Sequence, residues 1–259
     1  MKVRSVVLII GSTGKLGGAI KNSGLFLESV LLTPTKTELN ILNEEHLRTY
    51  LISNKVDLII HTAAIARMKM CEEDPATAID VNVTGTGNVV KAILASEAAL
   101  RKSIRLIYIS TDGVYAGVTG NYDESSSTLP YNFYGHTKLA AEATVHCLKD
   151  FVIIRTRFFD PNDIAFASSP IDIFTSKVTL SYLVKAIYFL VGSDWRGVIN
   201  VGEGRSSEFE INKKFKPEIT ACLRKDILLQ SGVSLATDAS MNTTRWEELK
   251  KRNNWIIND

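Results

Sequence analysis

Residues 6–17 read Val6-Val7-Leu8-Ile9-Ile10-Gly11-Ser12-Thr13-Gly14-Lys15-Leu16-Gly17. The run of five apolar, mostly β-branched residues suits a strand buried on both faces of a parallel sheet, and Gly11 ends it. Three glycines then follow at the spacing of a turn that leads into a helix. Gly11 permits the tight turn, Gly14 lets the backbone approach a pyrophosphate, and Gly17 lets helix and strand pack closely. Unpaired N–H groups at the start of the helix face the anion. This order predicts a dinucleotide site in which Gly11, Thr13, Gly14, Lys15, Leu16 and Gly17 surround the cofactor phosphates. A P-loop kinase or NTPase is excluded, because Leu16 stands where a hydroxyl should ligate magnesium and Ile9 where the leading glycine should be.

Working outward, strand character returns at residues 29–33, 56–61, 104–110, 151–156 and 198–201, and helical patterns occupy 15–21, 44–53, 76–100, 134–148 and 180–190. Alternation of this kind predicts an α/β fold, a doubly wound parallel sheet of Rossmann type with helices on both faces. After Asp160 the rhythm weakens, so residues 158–174 and 205–259 are read as a small substrate-binding lobe. Residues 1–157, completed by 175–204, form the dinucleotide-binding domain. Trp246 and Trp255 are expected to anchor the tail on the core.

The chain has 259 residues, enough for one sizeable core. Thirty Lys and Arg oppose 28 Asp and Glu, a net charge of +2 that gives no field for nucleic acid. The apolar stretch 180–191 is interrupted by Lys185 and too short for a membrane span. Met1-Lys2-Val3-Arg4 runs into the first strand without the features of a leader peptide. Cys71, Cys147 and Cys222 lack any pairing or metal-ligand spacing, which fits a reducing, cytoplasmic setting and no metal site.

The segment after the second strand, Thr33-Pro34-Thr35-Lys36, carries no carboxylate to repel a ribose 2′-phosphate. With Lys36 and Lys15 as counter-charges, NADP(H) is expected over NAD(H), which stays permitted.

Tyr134-Gly135-His136-Thr137-Lys138 opens a helical pattern, so Tyr134 and Lys138 share one face. An ammonium about 4 Å from the phenol is worth roughly 4 kcal/mol at an effective dielectric of about 20, enough to lower a pKa of about 10 by about three at most. That would tune Tyr134 for acid-base work. Upstream, the strand 104–110 ends in Ser110-Thr111-Asp112-Gly113-Val114-Tyr115, at the sheet edge where a doubly wound fold places its chemistry. Thr111, or failing that Ser110, is the hydroxyl expected to bond a substrate carbonyl.

These segments resemble the extended short-chain dehydrogenase/reductase superfamily, and within it the dTDP-4-dehydrorhamnose reductases and their sugar-nucleotide relatives. The likeness runs through the glycine turn, Glu38-Leu39-Asn40-Ile41, His61-Thr62-Ala63-Ala64, Cys71-Glu72-Glu73, Val81-Asn82, residues 110–117 and residues 134–142, with a weaker echo at 238–249. It implies a catalytic set of Thr111, Tyr134 and Lys138, with Lys138 also on the nicotinamide ribose. Asn40 and Ile41 would flank the adenine, Ala63 and Ala64 line the cofactor groove, and Glu72, Thr111 and Asp112 contact the substrate. The implied activity is NADPH-dependent reduction of a keto group on a nucleotide-linked sugar, a small-molecule partner, with a homodimer as the oligomeric expectation. Departures lie on the substrate side: Lys69 replaces a usual Asp, and residues 157–175 are shorter than in the family.

Two other readings compete. An epimerase or dehydratase of the same superfamily is disfavoured by Gly113, where dehydratases carry Glu. A non-catalytic NADP-binding regulatory subunit is suggested by the shortened lobe and opposed by the Tyr134–Lys138 pair. For Asn82, His61, His136 and Tyr115 the reading is packing, bracing or exposure. Asp112 either orients Thr111 or closes a turn.

Overall fold

The computed structural model describes residues 5–231 and 234–255; residues 1–4, read above as the lead-in to the first strand, and 256–259, assigned to the lobe, lie outside them. The first half of the chain runs β1 (Val6–Ile10), α1 (Lys15–Asn22), β2 (Val30–Leu32), α2 (Glu44–Ser53), β3 (Leu58–His61), α3 (Met68–Glu73), α4 (Pro75–Ile79), α5 (Gly85–Leu100), β4 (Arg105–Ile109) and α6 (Phe133–Val145). There follow β5 (Phe151–Arg155), β6 (Phe158–Phe159), β7 (Ser168–Pro170), β8 (Phe174–Thr175), β9 (Val178–Thr179), α7 (Leu180–Gly192), β10 (Gly197–Asn200), β11 (Ser206–Ser207), α8 (Glu208–Phe215), β12 (Thr220–Cys222), α9 (Arg224–Ser231) and α10 (Thr244–Arg252).

Six parallel strands form the main sheet in the order β10-β5-β4-β3-β1-β2. The order reverses between β1 and β3, and such a switch point opens a crevice beyond the strands' C-terminal ends. Alternation along each strand divides the core in two. Val7, Ile9, Ile107, Ile109, Val152 and Ile154 pack with α1 and α7 on one face. Leu8, Ile10, Leu106, Tyr108 and Ile153 pack with α2, α5 and α6 on the other. Both faces are covered, so the strands read as continuous apolar runs rather than alternating ones.

Two stretches differ from expectation. The single helix expected over 76–100 is broken by a π-helical turn, Asp80–Thr84, between α4 and α5. There the buried Asn82 turns its amide to the backbone of Ile65, accepting from its N–H at 2.8 Å and donating to its carbonyl at 3.1 Å. The tail, expected to lack a clear strand-helix pair, holds short ladders β11–β8 and β12–β7 together with α8, α9 and α10. Strands of two or three residues are too short to show a period, which is why the pattern was silent.

Trp246 on α10 is fully buried in the face formed by α1 and α7, where its Nε1 donates to the Tyr182 hydroxyl at 2.9 Å. Trp255 stacks on Phe189 with ring centres 4.4 Å apart. The segment that runs from α10 to Trp255 is therefore held against α7 by two indoles. Trp246→Ala is expected to reduce stability by about 3–5 kcal/mol, the usual cost of truncating a buried aromatic. Urea unfolding measures it, and an unchanged midpoint would mean that α10 does not contribute to the core.

Candidate active site

The glycine turn lies at the switch point. Gly11 has φ +91°, and a Cβ there would come 2.6 Å from the Ala63 amide nitrogen; one on Gly17 would lie 2.2 Å from the Gly11 carbonyl oxygen. Turn, helix and the end of β3 are thus in backbone contact, and a side chain at either position would force them apart. Thr62 Oγ1 donates to the Ile10 carbonyl at 2.9 Å, and Ser12 Oγ donates to the Pro34 carbonyl at 2.8 Å, fastening β3 and the segment after β2 to the turn. Gly14 caps α1 without a side-chain bond, and the first turn of α1 carries no acidic residue. Its N–H groups are left to an anion, so these residues fit a dinucleotide pyrophosphate.

A cavity of about 970 Å³ borders this turn, and its lining includes Gly14, Lys15, Leu16, Gly17 and Ala64 together with Arg157, Lys177, Glu208 and Asn212. Thr111, Tyr134 and Lys138 line it as well. Gly11, Thr13, Lys36, Asn40, Ile41 and Ala63 are not on this wall. Ile41 is buried in the core, Asn40 Oδ1 accepts from the Leu42 N–H at 3.0 Å, and Ala63 packs on the Gly11 turn. Lys15, expected as a counter-charge, pairs with Asp163 Oδ2 at 2.5 Å, both side chains exposed. Lys36 is exposed. Glu38, close by, turns back to accept from the Thr35 N–H at 2.8 Å, a bond that lowers its pKa.

Tyr134 stands in the first turn of α6. Asn132 Oδ1 caps that helix by accepting from the Gly135 N–H at 2.8 Å, and Glu72 Oε1 accepts from the Phe133 N–H at 2.9 Å. The Glu72 carboxylate, a candidate substrate contact, is therefore engaged at the helix start. One turn on, the buried Lys138 holds its Nζ 4.1 Å from the centre of the Tyr108 ring. Burial pushes its pKa down to about 7, against the pull of Glu142.

The electrostatics of the phenol run opposite to the sequence expectation. Burial raises the Tyr134 pKa well above the ordinary phenol value, Asp112 and Cys71 raise it further, and the opposing influences are Arg157 and a side-chain hydrogen bond with Thr111. The cation acting on Tyr134 here is Arg157, from the end of β5. Taking a phenolate out of water costs more than the neighbouring charge returns. Tyr134 consequently keeps its proton at neutral pH, as a proton donor must.

Thr111 caps a single 3₁₀ turn, Asp112–Val114. Its Oγ1 accepts from the Gly113 N–H at 3.1 Å and donates to Asp112 Oδ1 at 3.2 Å. Ser110, the reserve candidate, is committed elsewhere: its hydroxyl donates to Glu142 Oε1 at 2.5 Å. Glu142 also binds Arg155 at 2.7 Å, and Arg155 donates to the Tyr115 hydroxyl at 3.0 Å. Tyr115 is fully buried, stacked on Tyr122 with ring centres 4.9 Å apart. Asn82 adds a third bond, donating to Thr137 Oγ1 at 2.9 Å and so bracing α6 beside Tyr134. His136 is exposed.

Sequence reasoning missed Arg157, Lys177, Glu208 and Asn212. The signal available was a pair of arginines, Arg155 and Arg157, ending the apolar run of β5 at the sheet's C-terminal edge. Among the described residues no group of three or more His, Cys, Asp or Glu side chains is placed to hold a metal ion, and no helix is long and apolar enough to cross a membrane.

Residues 5–166 match the family described as RmlD substrate binding domain. The chain belongs to that family. A dTDP-4-dehydrorhamnose reductase of Mycolicibacterium smegmatis is 32% identical over 153 residues, covering 58% of this chain and 44% of the relative. The methionine adenosyltransferase 2 subunit beta of Mus musculus is 34% identical over 148 residues, covering 54% of this chain and 42% of the relative. The chain thus spans about half the length of these curated relatives. The crystal structure of dTDP-4-dehydrorhamnose reductase from Bacillus anthracis str. Ames, in complex with NADP, superposes with a TM-score of 0.82 at 22% identity, covering 99% of this chain and 94% of that one. At that identity the likeness is one of fold.

His61, at the end of β3, is buried in this RmlD-family chain, and its Nε2 lies 3.1 Å from Thr86 Oγ1. Burial, with Lys138 nearby, lowers its pKa from 6.5 to about 3. Between those values the unfolded chain takes up a proton that the folded one refuses, so stability is lost as pH falls through that window. His61→Gln is expected to flatten the acid limb of a plot of urea midpoint against pH. An acid limb as steep as the wild type's would contradict the buried neutral imidazole.

Proposed function

We propose that this chain is an NADPH-dependent reductase of a keto group on a nucleotide-linked sugar, similar to dTDP-4-dehydrorhamnose reductase. The observation that carries the reading is the juxtaposition of Thr111, Tyr134 and Lys138 on the wall of one cavity that begins at the uncapped glycine turn. The names of the Mycolicibacterium smegmatis relative and of the Bacillus anthracis structure, the latter in complex with NADP, support it.

NADPH bound along Gly14–Gly17 would supply a hydride to the carbonyl carbon. The protein's own part is the other half of the reaction. Thr111 hydrogen-bonds the carbonyl oxygen, and the Tyr134 phenol, protonated at neutral pH, gives its proton to that oxygen as charge builds on it. The phenolate left behind is met by Arg157 and by Lys138, whose lowered pKa leaves it able to take up a proton when negative charge arrives nearby. Lys36 and Lys15 are the counter-charges proposed for a 2′-phosphate, Lys15 by exchanging its partner Asp163.

A second reading is a cofactor-binding subunit without turnover, favoured by the relative named methionine adenosyltransferase 2 subunit beta. The two readings separate on one assay, NADPH consumption against a panel of nucleotide-linked 4-keto sugars. Turnover supports the reductase, and NADPH binding with no oxidation supports the subunit.

Two outcomes are expected of the reductase. Tyr134→Phe should bind NADPH as the wild type does while kcat falls by about 10²–10⁴-fold, the scale of losing a positioned acid; retained turnover would remove Tyr134 from the role. NADPH should give the higher kcat/KM, and equal or better turnover with NADH would contradict the assignment of Lys36 and Lys15.

A further inference from the structure

The Thr111 hydroxyl has one proton and two hydrogen-bond neighbours. The Gly113 N–H donates to it at 3.1 Å, and Asp112 Oδ1 lies 3.2 Å away. An ionised carboxylate only accepts, so while Asp112 is charged it draws the threonine proton; once protonated, it can donate to Thr111 and leave that proton free for a ligand oxygen. The charge on Asp112 therefore decides which way the catalytic threonine points.

Asp112 is 1% exposed, and burial by itself favours its neutral form. The cation in contact with it is Arg157, whose Nε is 3.1 Å from Asp112 Oδ2. On its other side the Arg157 guanidinium lies 3.5 Å from Glu208 Oε1 and donates to the Tyr131 hydroxyl at 3.3 Å. Glu208 is the first residue of α8 and also binds Lys177, which in turn donates to Asn212 Oδ1 at 2.9 Å. A continuous line of charges runs from a helix of the C-terminal segment to the threonine.

We propose that Arg157 is a positioning residue of the reductase site: through Asp112 it sets the direction of the Thr111 hydroxyl, and through Glu208 it ties that setting to the seating of α8. The proposal rests on the reductase reading for its kinetic consequence only. The other titratable groups facing Asp112 are Glu208 from α8, Tyr131 from the loop before α6, and Tyr134 from α6. Each is neutral or negative, so none replaces the arginine charge. Lys177 faces Glu208 and Arg157 from β9's leading edge. Removal of Arg157 should therefore let Asp112 hold its proton to higher pH, turning the carboxyl from acceptor into donor.

The test uses the full chain without cofactor, labelled with ¹³C in the aspartate carboxyls, with Asp112→Asn identifying the resonance. In Arg157→Gln the Asp112 signal is expected to titrate at higher pH than in the wild type, and Arg157→Lys, which keeps a cation, should return it toward the wild-type position. An Asp112 titration unmoved in Arg157→Gln overturns the proposal; Arg157→Met gives a second neutral variant should Arg157→Gln unfold. With NADPH and a turned-over keto sugar, the pH profile of kcat in Arg157→Gln is expected to move in the same direction as the Asp112 titration, and a profile unmoved from the wild type's would overturn the link to Thr111. A rise in KM alone would make Arg157 a substrate contact and overturn the positioning role. Glu208→Gln, which removes a charge that raises the Asp112 pKa, should move the Asp112 titration to lower pH, and an unmoved titration would remove α8 from the proposal. Absence of turnover by the wild type counts against the reductase reading, whereas the carboxyl titration decides the role of Arg157 without it.

Discussion

Desolvation of the partly buried Tyr134 phenol, with the Asp112 carboxylate acting on it, is the effect on which the proposed chemistry of this site depends. A phenol set against a negative charge in a poorly solvated wall keeps its proton, and a retained proton is what a reductase needs to deliver. The same wall lowers the pKa of Lys138 to about 7, so near neutral pH the lysine is divided between its charged and neutral forms.

The fold supplies that environment through the switch point. Because the connections leaving β1 and β3 turn to opposite faces of the sheet there, the glycine turn, the end of β4 and the start of α6 meet around one crevice. Buried polar groups then hold each part in register. Asn82 spans from Ile65 to Thr137, and Glu142 joins Ser110 to Arg155. Each such group has its partners, as buried polar atoms require, and together they fix α6 against the sheet edge.

Much of this was legible from residue order. The strand β1 was read with its observed bounds, and α2 likewise, because a buried parallel strand and an amphipathic helix leave strong periods. Thr111, Tyr134 and Lys138 were picked out from their positions at the end of a strand and one turn apart on a helix, and all three line one cavity. The π-helical turn at Asp80–Thr84 was not, since its cause is a contact between Asn82 and a loop seventeen residues away. Nor was the role of Arg157. Nothing local tells an arginine after an apolar strand whether it meets solvent, a ligand or Asp112, and that partner lies forty-five residues upstream. The expected downward pull of Lys138 on Tyr134 failed for a related reason: helical spacing predicts a shared face, but desolvation is set by the whole cavity.

The most direct measurement of the central claim is the ring ¹³Cζ resonance of Tyr134 in the cofactor-free chain, assigned with a Tyr134→Phe variant and followed from about pH 6 to about pH 10, the range in which an activated or ordinary phenol would begin to ionise. The account predicts that the resonance stays at the position of a protonated phenol throughout. A titration centred near neutral pH would contradict it and restore Lys138 as the group that acidifies the tyrosine.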